Sequence, residues 1–528
     1  KTAQQATITR TSSTLTRLGA RFASGEGALA ETVRRYQDHF DRREALEALV
    51  LKELSRTAEK QNEEKLRNLR LQLEKIQSSL STARELLEQD FPAYAKLARP
   101  RSLGIDEVKN LLAPGEALLT YAVGDDKESY LWVIRPGLDK FLILPAGEEE
   151  LSKTVAGLRQ ALNPQLGLRP FDLEESQHLY DLLIKPAEAS LTGVDHLLIV
   201  PDGPLQSLPL GLLVKHLGHV PEQESGDETI AVASRGLREE ASKLLKTLSK
   251  YSGFETKSQP AAATTKNSYA SYREAQWLAQ EYALTTLPSV SSLRSLRGGS
   301  SAASKAPDPF MGFGDPLLGS SAGVTRMADA STLFSRGAVA DVDKVRSLPR
   351  LPETAQELQT IARTLGAPPE AVFLREEATE SKVKSLDLAQ ARILAFATHG
   401  MVSGELKGLA ESALVFTPPE AGSAEDDGLL TASEVAQLKL DADWVILSAC
   451  NTASADGSPG AEGLSGLART FFYSGARTLL VSHWPVETNS AAELTTGIFE
   501  EMKANPEIGR AEALRRSRIR LINNTEYP

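Results

Sequence analysis

Apolar residues recur at two different periods along this chain, and the change of period divides it. Residues 26–96 are expected to form long helices. Within them Leu66, Leu69, Leu73, Ile76, Leu80, Ala83 and Leu87 follow one another at alternating steps of three and four, with Glu, Lys, Arg and Gln between. That is a heptad seam along one helix face. Asp90–Tyr94 should end it, because Pro92 cannot continue the hydrogen-bond ladder. The seam suits an antiparallel hairpin with an earlier helix carrying Leu46, Val50 and Leu54, and it suits a partner chain equally.

Past residue 112 the apolar runs become short: "ALLTYAVG", "YLWVI", "FLIL" and "HLLIVPDG", some separated by helical stretches such as "EEELSKTVAGLRQAL". This is α/β patterning. Glu255–Ser268 and Leu296–Pro307 are small and polar, as loops or insertions are. Four further strand candidates follow, "FMGFGD", "ILAFA", "WVILSA" and "TLLVSHW". The runs Ile393–Ala397 and Trp444–Ala449 are apolar without alternation, which suits strands covered on both faces of a parallel sheet. After the second comes a helix with Leu464, Leu467 and Phe471 on one face, stopping at Gly475. The expected domains are a helical hairpin over 1–100, an α/β lobe over 101–250, a linker or insertion over 251–308 and a second α/β lobe over 309–528.

Composition narrows the function classes. With 528 residues and 41% hydrophobic content, the chain is long enough for two or three cored domains. Lys plus Arg is 59 against 70 for Asp plus Glu, a net charge of −11, which speaks against a nucleic-acid binder. No apolar run approaches the ~18 residues of a membrane span. The single Cys excludes an intrachain disulfide and a multi-cysteine zinc site, and a reducing cytoplasm is the expected compartment. "GSSAG" and "GFGDPLLG" lack the Gly-Lys-Ser/Thr ending of a phosphate loop, and no residues stand at metal-ligand spacing, so no cofactor and no metal are expected.

That one cysteine, Cys450, stands at the mouth of the run Trp444–Ala449, where a central strand should leave its sheet before a crossover helix. His399, followed by Gly400, stands just past Ile393–Ala397 in the same way. Alone, a buried Cys is usually inert packing, and a single His at a strand end is usually structural. At two adjacent strand exits 51 residues apart, they fit a Cys/His dyad in the order and spacing of the caspases. A thiol attacks an amide only as a thiolate, and an imidazole can take its proton and later protonate the leaving amine. The backbone amides of Gly400 and Cys450 are the expected oxyanion donors.

Several blocks strengthen this: "FPAYAKLARP", "LIVPDGPLQSLPLGLL", "FMGFGDP", "LPETAQEL", "FATHG", "LSACNT", "EGLSGLARTF" and "VSHWPV". Through them, from about residue 90 onward, the chain resembles the CHAT-domain proteins, caspase-like peptidases related to separases and often found beside tetratricopeptide repeats. The resemblance implies a caspase-like, mostly parallel α/β sheet flanked by helices, with His399 and Cys450 as the dyad. It also implies that the earlier lobe is a degenerate protease-like half. Two family features are not seen within these 528 residues: a full set of tetratricopeptide repeats, either trimmed away or reduced to the hairpin, and the usual tryptophan-containing final strand, either absent, cut or lying past "NTEYP".

An extended peptide substrate would add to a strand edge beside the cysteine. Val481–Glu487 is the candidate edge, since Pro485 cannot donate to a ladder. Ser482 and Trp484 are candidate substrate contacts, Trp484 as a pocket floor, and His483 is expected to be structural or substrate-lining. Asp456, Glu462 and Glu487 are candidate acids for a pocket selecting Arg or Lys; each is otherwise a solvated charge, and Glu462 a helix N-terminal acid. The expected function is a cysteine endopeptidase acting on one or a few protein substrates, regulated by a protein partner on the helical region. The alternative is a catalytically silent scaffold or signalling adaptor; acyl transfer by the same dyad is a third class.

Overall fold

The computed structural model describes residues 39, 42, 43, 46, 50, 63–90, 102–125, 127–162, 169–218, 265–297, 303–319, 340–401, 412–423, 425–448, 466–484, 486 and 488–524. The heptad seam lies on helix α1 (Glu63–Asp90), which ends where the sequence places its stop. Leu69, Ile76 and Leu80 are buried there against Leu46, with Val50 and Leu73 packed alongside. The rest of the expected hairpin lies outside the described residues.

The first lobe is a five-stranded mixed sheet. β1 (Glu116–Val123), β2 (Ser129–Arg135) and β3 (Leu138–Leu144) form an antiparallel meander. Helix α2 (Glu148–Ala161) then leads toward β4 (His196–Val200), which pairs parallel to β1. Alternation divides β1 cleanly. Ala117, Leu119 and Tyr121 pack with Leu151, Val155 and Leu158 of α2, while Leu118 packs with Val108, Val290 and Leu293. β5 (Val214–His216) and β6 (Gln276–Trp277) form a small antiparallel pair, followed by helix α3 (Leu278–Glu281). β7 (Ala283–Thr286) completes the order β3-β2-β1-β4-β7.

β7 falls within residues 251–308, the stretch expected as a linker or insertion. It lies parallel to β4, its ladder anchored by Ala283 N–H on Asp195 O at 2.8 Å and continued by Leu287 N–H on Ile199 O at 2.7 Å. Its "ALTT" is too short and too polar to signal a strand by period alone, and only pairing with β4 makes it one.

The second lobe is an all-parallel sheet of order β15-β14-β10-β8-β9. Its strands are β8 (Met311–Pro316), β9 (Val372–Arg375), β10 (Ile393–Ala397), β14 (Trp444–Leu447) and β15 (Leu479–Val481). A small antiparallel sheet, β11 (Gly400–Met401), β12 (Ala413–Val415) and β13 (Leu429–Thr431), follows directly from the β10 exit. The parallel sheet is covered on both faces, as its unbroken apolar runs require. On one face Phe396 stacks with Phe313 at 5.5 Å and meets Phe471 of helix α5 (Gly466–Ser474) at 5.3 Å. On the other, Ala395, Ala397, Trp444 and Ile446 meet Leu358 and Ile361 of α4 (Glu353–Leu365), Phe499 of α6 (Thr488–Ala504) and Ala513 of α7 (Arg510–Asn523). The small residues on this face are what let α4 sit close. A Cβ on Gly314 would stand 2.6 Å from Leu358 Cδ1 and 2.9 Å from Ala397 O. Helix α7 also reaches the first lobe, where Arg515 Nη1 donates to Gln280 O at 2.6 Å. No helix among the described residues is long and apolar enough to cross a membrane.

α5 stops where expected. Gly475 has φ +126°, and a Cβ there would lie 2.1 Å from Leu440 O. Gly475→Ala is therefore expected to destabilise the chain by at least about 2 kcal/mol, from left-handed strain and a backbone clash. Chemical denaturation reads this directly, and an unchanged midpoint would contradict it.

Candidate active site

β10 is flanked by β14 on one side and β8 on the other, so the exits carrying His399 and Cys450 belong to neighbouring strands. Each pair in their ladder, Ile393↔Trp444 through Phe396↔Leu447, joins residues 51 positions apart. His399 and Cys450 are also 51 apart, each three positions past the last pair of the ladder, Phe396↔Leu447. Cys450 itself lies outside the described residues, as do Asp456, Glu462, Pro485 and Glu487.

His399 is half-buried. Its Nε2 lies 2.7 Å from the carbonyl oxygen of Pro349. A carbonyl can only accept, so Nε2 carries the proton in this contact. Burial pushes the imidazole below its ordinary range, and the Pro349 contact only partly offsets this. A neutral ring with Nε2–H engaged leaves Nδ1 as a free lone pair, which is what a general base needs.

Pro349 is held by its neighbours. Arg350 makes two bonds to Asp315 at the end of β8, Nε to Oδ1 at 2.9 Å and Nη2 to Oδ2 at 2.8 Å. The Asp315 amide donates to Thr354 Oγ1 at 2.9 Å, and the Thr354 hydroxyl donates to Leu351 O at 2.7 Å. Asp315 is buried and sits at φ +41°, a left-handed conformation that Asp tolerates. The turn that anchors His399 is thus clamped to a strand exit and to the first turn of α4.

Alternation places the neighbouring exit on the same side. Trp444 and Ile446 face α4 and α6, and two positions on the Ser448 hydroxyl donates to Glu357 Oε2 of α4 at 3.2 Å. Glu357 is only 2% exposed, and its Oε1 has no partner among the described residues. Burial pushes its carboxyl up to about 7, and the hydroxyls of Ser448 and, close by, Thr495, which itself donates to Ala491 O at 2.9 Å, pull it partly back. Glu357 is not among the site residues expected from the sequence. The signal was present: an acid on the apolar stripe of Thr354, Leu358, Ile361 and Ala362.

Gly400 opens β11, opposite Leu414, and is half-buried. Ser482 and Trp484 follow β15, the edge strand of the sheet, and are half-buried too. Between them His483 has an imidazole Nδ1 that is buried without a partner among the described residues. Burial pushes this ring down to about 4, reinforced by Arg159 of α2 and Arg518 of α7. It is neutral at physiological pH and lies where the two lobes approach. No group of three or more His, Cys, Asp or Glu that could hold a metal ion occurs among the described residues.

The CHAT-domain profile matches residues 253–528. The chain belongs to the CHAT-domain family. This is a caspase-like, protease-related family, and the match begins later than the residue-90 boundary drawn from short motifs. Two curated proteins are similar. Tetratricopeptide repeat protein 28 of Mus musculus is 29% identical over 199 residues, covering 30% of this chain and 8% of that protein. Its Homo sapiens counterpart is 27% identical over 199 residues, with the same shares. The chain thus spans under a tenth of the length of these relatives.

Glu357 has a consequence for stability. Its folded-state pKa lies above its ordinary value, so its contribution is fully present below about pH 4.5 and is lost as pH rises through about 7. The loss amounts to about 3 kcal/mol. Glu357→Gln, neutral throughout, should lack this slope in denaturation midpoints taken across that range. The same slope in both proteins would contradict the assignment.

Proposed function

We propose that this CHAT domain is a cysteine endopeptidase in which His399 and Cys450 form the catalytic dyad. The shared offset of 51 residues carries the reading. If the two exits run on in register for three residues, imidazole and thiol stand on strands about 4.8 Å apart. They also fall on one face, the face that α4 covers.

The chemistry follows from that placement. His399 Nδ1 takes the thiol proton, and the thiolate attacks the scissile carbonyl carbon. Amide N–H groups of Gly400 and Cys450 receive the developing oxyanion. The imidazolium then protonates the leaving amine as the C–N bond breaks, and water, deprotonated by the same imidazole, hydrolyses the acyl-enzyme. The Pro349 carbonyl fixes the ring and compensates its charged form. β15 offers the edge along which an extended peptide substrate would pair, with Ser482 and Trp484 beside it. Asp456, Glu462 and Glu487 remain candidates for selecting a basic residue before the cut. Regulation by a protein docked on the helical region accords with the seam of α1.

Cys450→Ala and His399→Ala should each lower peptide cleavage by at least about a thousandfold while leaving the melting transition in place. A peptidyl chloromethylketone should label Cys450 in the parent chain and fail to do so when His399 is replaced. Cleavage retained in either variant contradicts the dyad; slow labelling indifferent to His399 supports a silent scaffold instead.

A further inference from the structure

Glu357 stands in the apolar layer between the sheet and α4, where a Leu would pack without any desolvation cost. Its neighbours on the buried stripe are Leu358, Ile361 and Ala362. The acid has one oxygen on the Ser448 hydroxyl and one with no partner among the described residues. An acid kept for stability alone would have both oxygens satisfied. Ser448 is the first residue past β14, directly after the pair Phe396↔Leu447, and β10 on the other side of that ladder leads to His399.

We propose that Glu357 is a positioning residue for the cysteine reaction: it holds Ser448, and through it fixes the β14 exit relative to His399. This rests on the dyad reading above. Below about pH 7 Glu357 holds Ser448 as an uncharged acid. The groups that face it are hydroxyls, Ser448 at the β14 exit and Thr495 on α6, and no charged side chain among the described residues contributes to its balance. Ionised, it would place an unpaired negative charge against Ser448, two residues before Cys450 in the sequence, and a like charge nearby opposes a thiolate. The same helix also carries Thr354, whose bonds clamp the His399 anchor. One helix therefore holds both the His399 anchor and the first residue past β14.

The chain has a single cysteine, so alkylation by iodoacetamide reads that thiol without ambiguity. The full chain would be alkylated across about pH 5.5 to 9 as parent, Glu357→Gln and Glu357→Ala, each with and without His399→Ala. Glu357→Gln should match the parent below about pH 6.5 and react up to about tenfold faster by about pH 8, the effect of a one-unit lower thiol pKa. Glu357→Ala should lose the dependence on His399. A Gln profile superimposed on the parent's, or a folded Ala variant as sensitive to His399 as the parent, would overturn the proposal. If the Ala variant fails to fold, the Gln profile decides. If the parent itself shows no dependence on His399, the dyad reading falls and takes this proposal with it.

Discussion

A parallel ladder between β10 and β14 is the constraint on which the rest of the molecule turns. Slipping one strand by a single residue would turn every side chain to the opposite face. Packing forbids the slip. Phe396 is locked among Phe313, Phe416 and Phe471 on one face. On the other, Gly312, Gly314, Ala395 and Ala397 leave room only for the close approach of α4. The hydrophobic effect thus fixes the register, and the register fixes which residues of the two exits become neighbours. Chemistry at the exits is inherited from aromatic packing below them.

Helix α4 carries the second half of the account. Its first turn clamps Pro349, whose carbonyl orients His399, and its second turn brings Glu357 to Ser448. Burial shifts the titratable groups near the two exits toward their neutral forms: His399 and His483 are pushed down, and Glu357 up to about 7. In such surroundings any new charge is felt strongly.

Much of this was legible in the sequence because the signals were local. Uninterrupted apolar runs announced the buried parallel strands, Gly475 announced the end of α5, and the steps of three and four announced α1. Adjacency of the His399 and Cys450 exits could be argued from the shared form of the two runs. What escaped was set by tertiary context. The strand β7 exists only because β4 offers it a partner. The Pro349 anchor is a backbone carbonyl, which side-chain identity does not reveal. Glu357 looked like one more polar residue in a helix, although its place on the apolar stripe marked it. The profile match begins at residue 253, so β7 of the first sheet lies within it while β1 to β4 lie before it.

The most direct test of the central claim is nitrogen NMR of the His399 ring, assigned by its loss in His399→Gln, before and after the one thiol is capped with a methylthio group. At neutral pH the account requires a neutral ring protonated on Nε2, with an Nδ1 resonance that moves when the sulfur is capped. A ring protonated on Nδ1, or one indifferent to the cap, would show that the two strand exits do not deliver imidazole and sulfur to a common site.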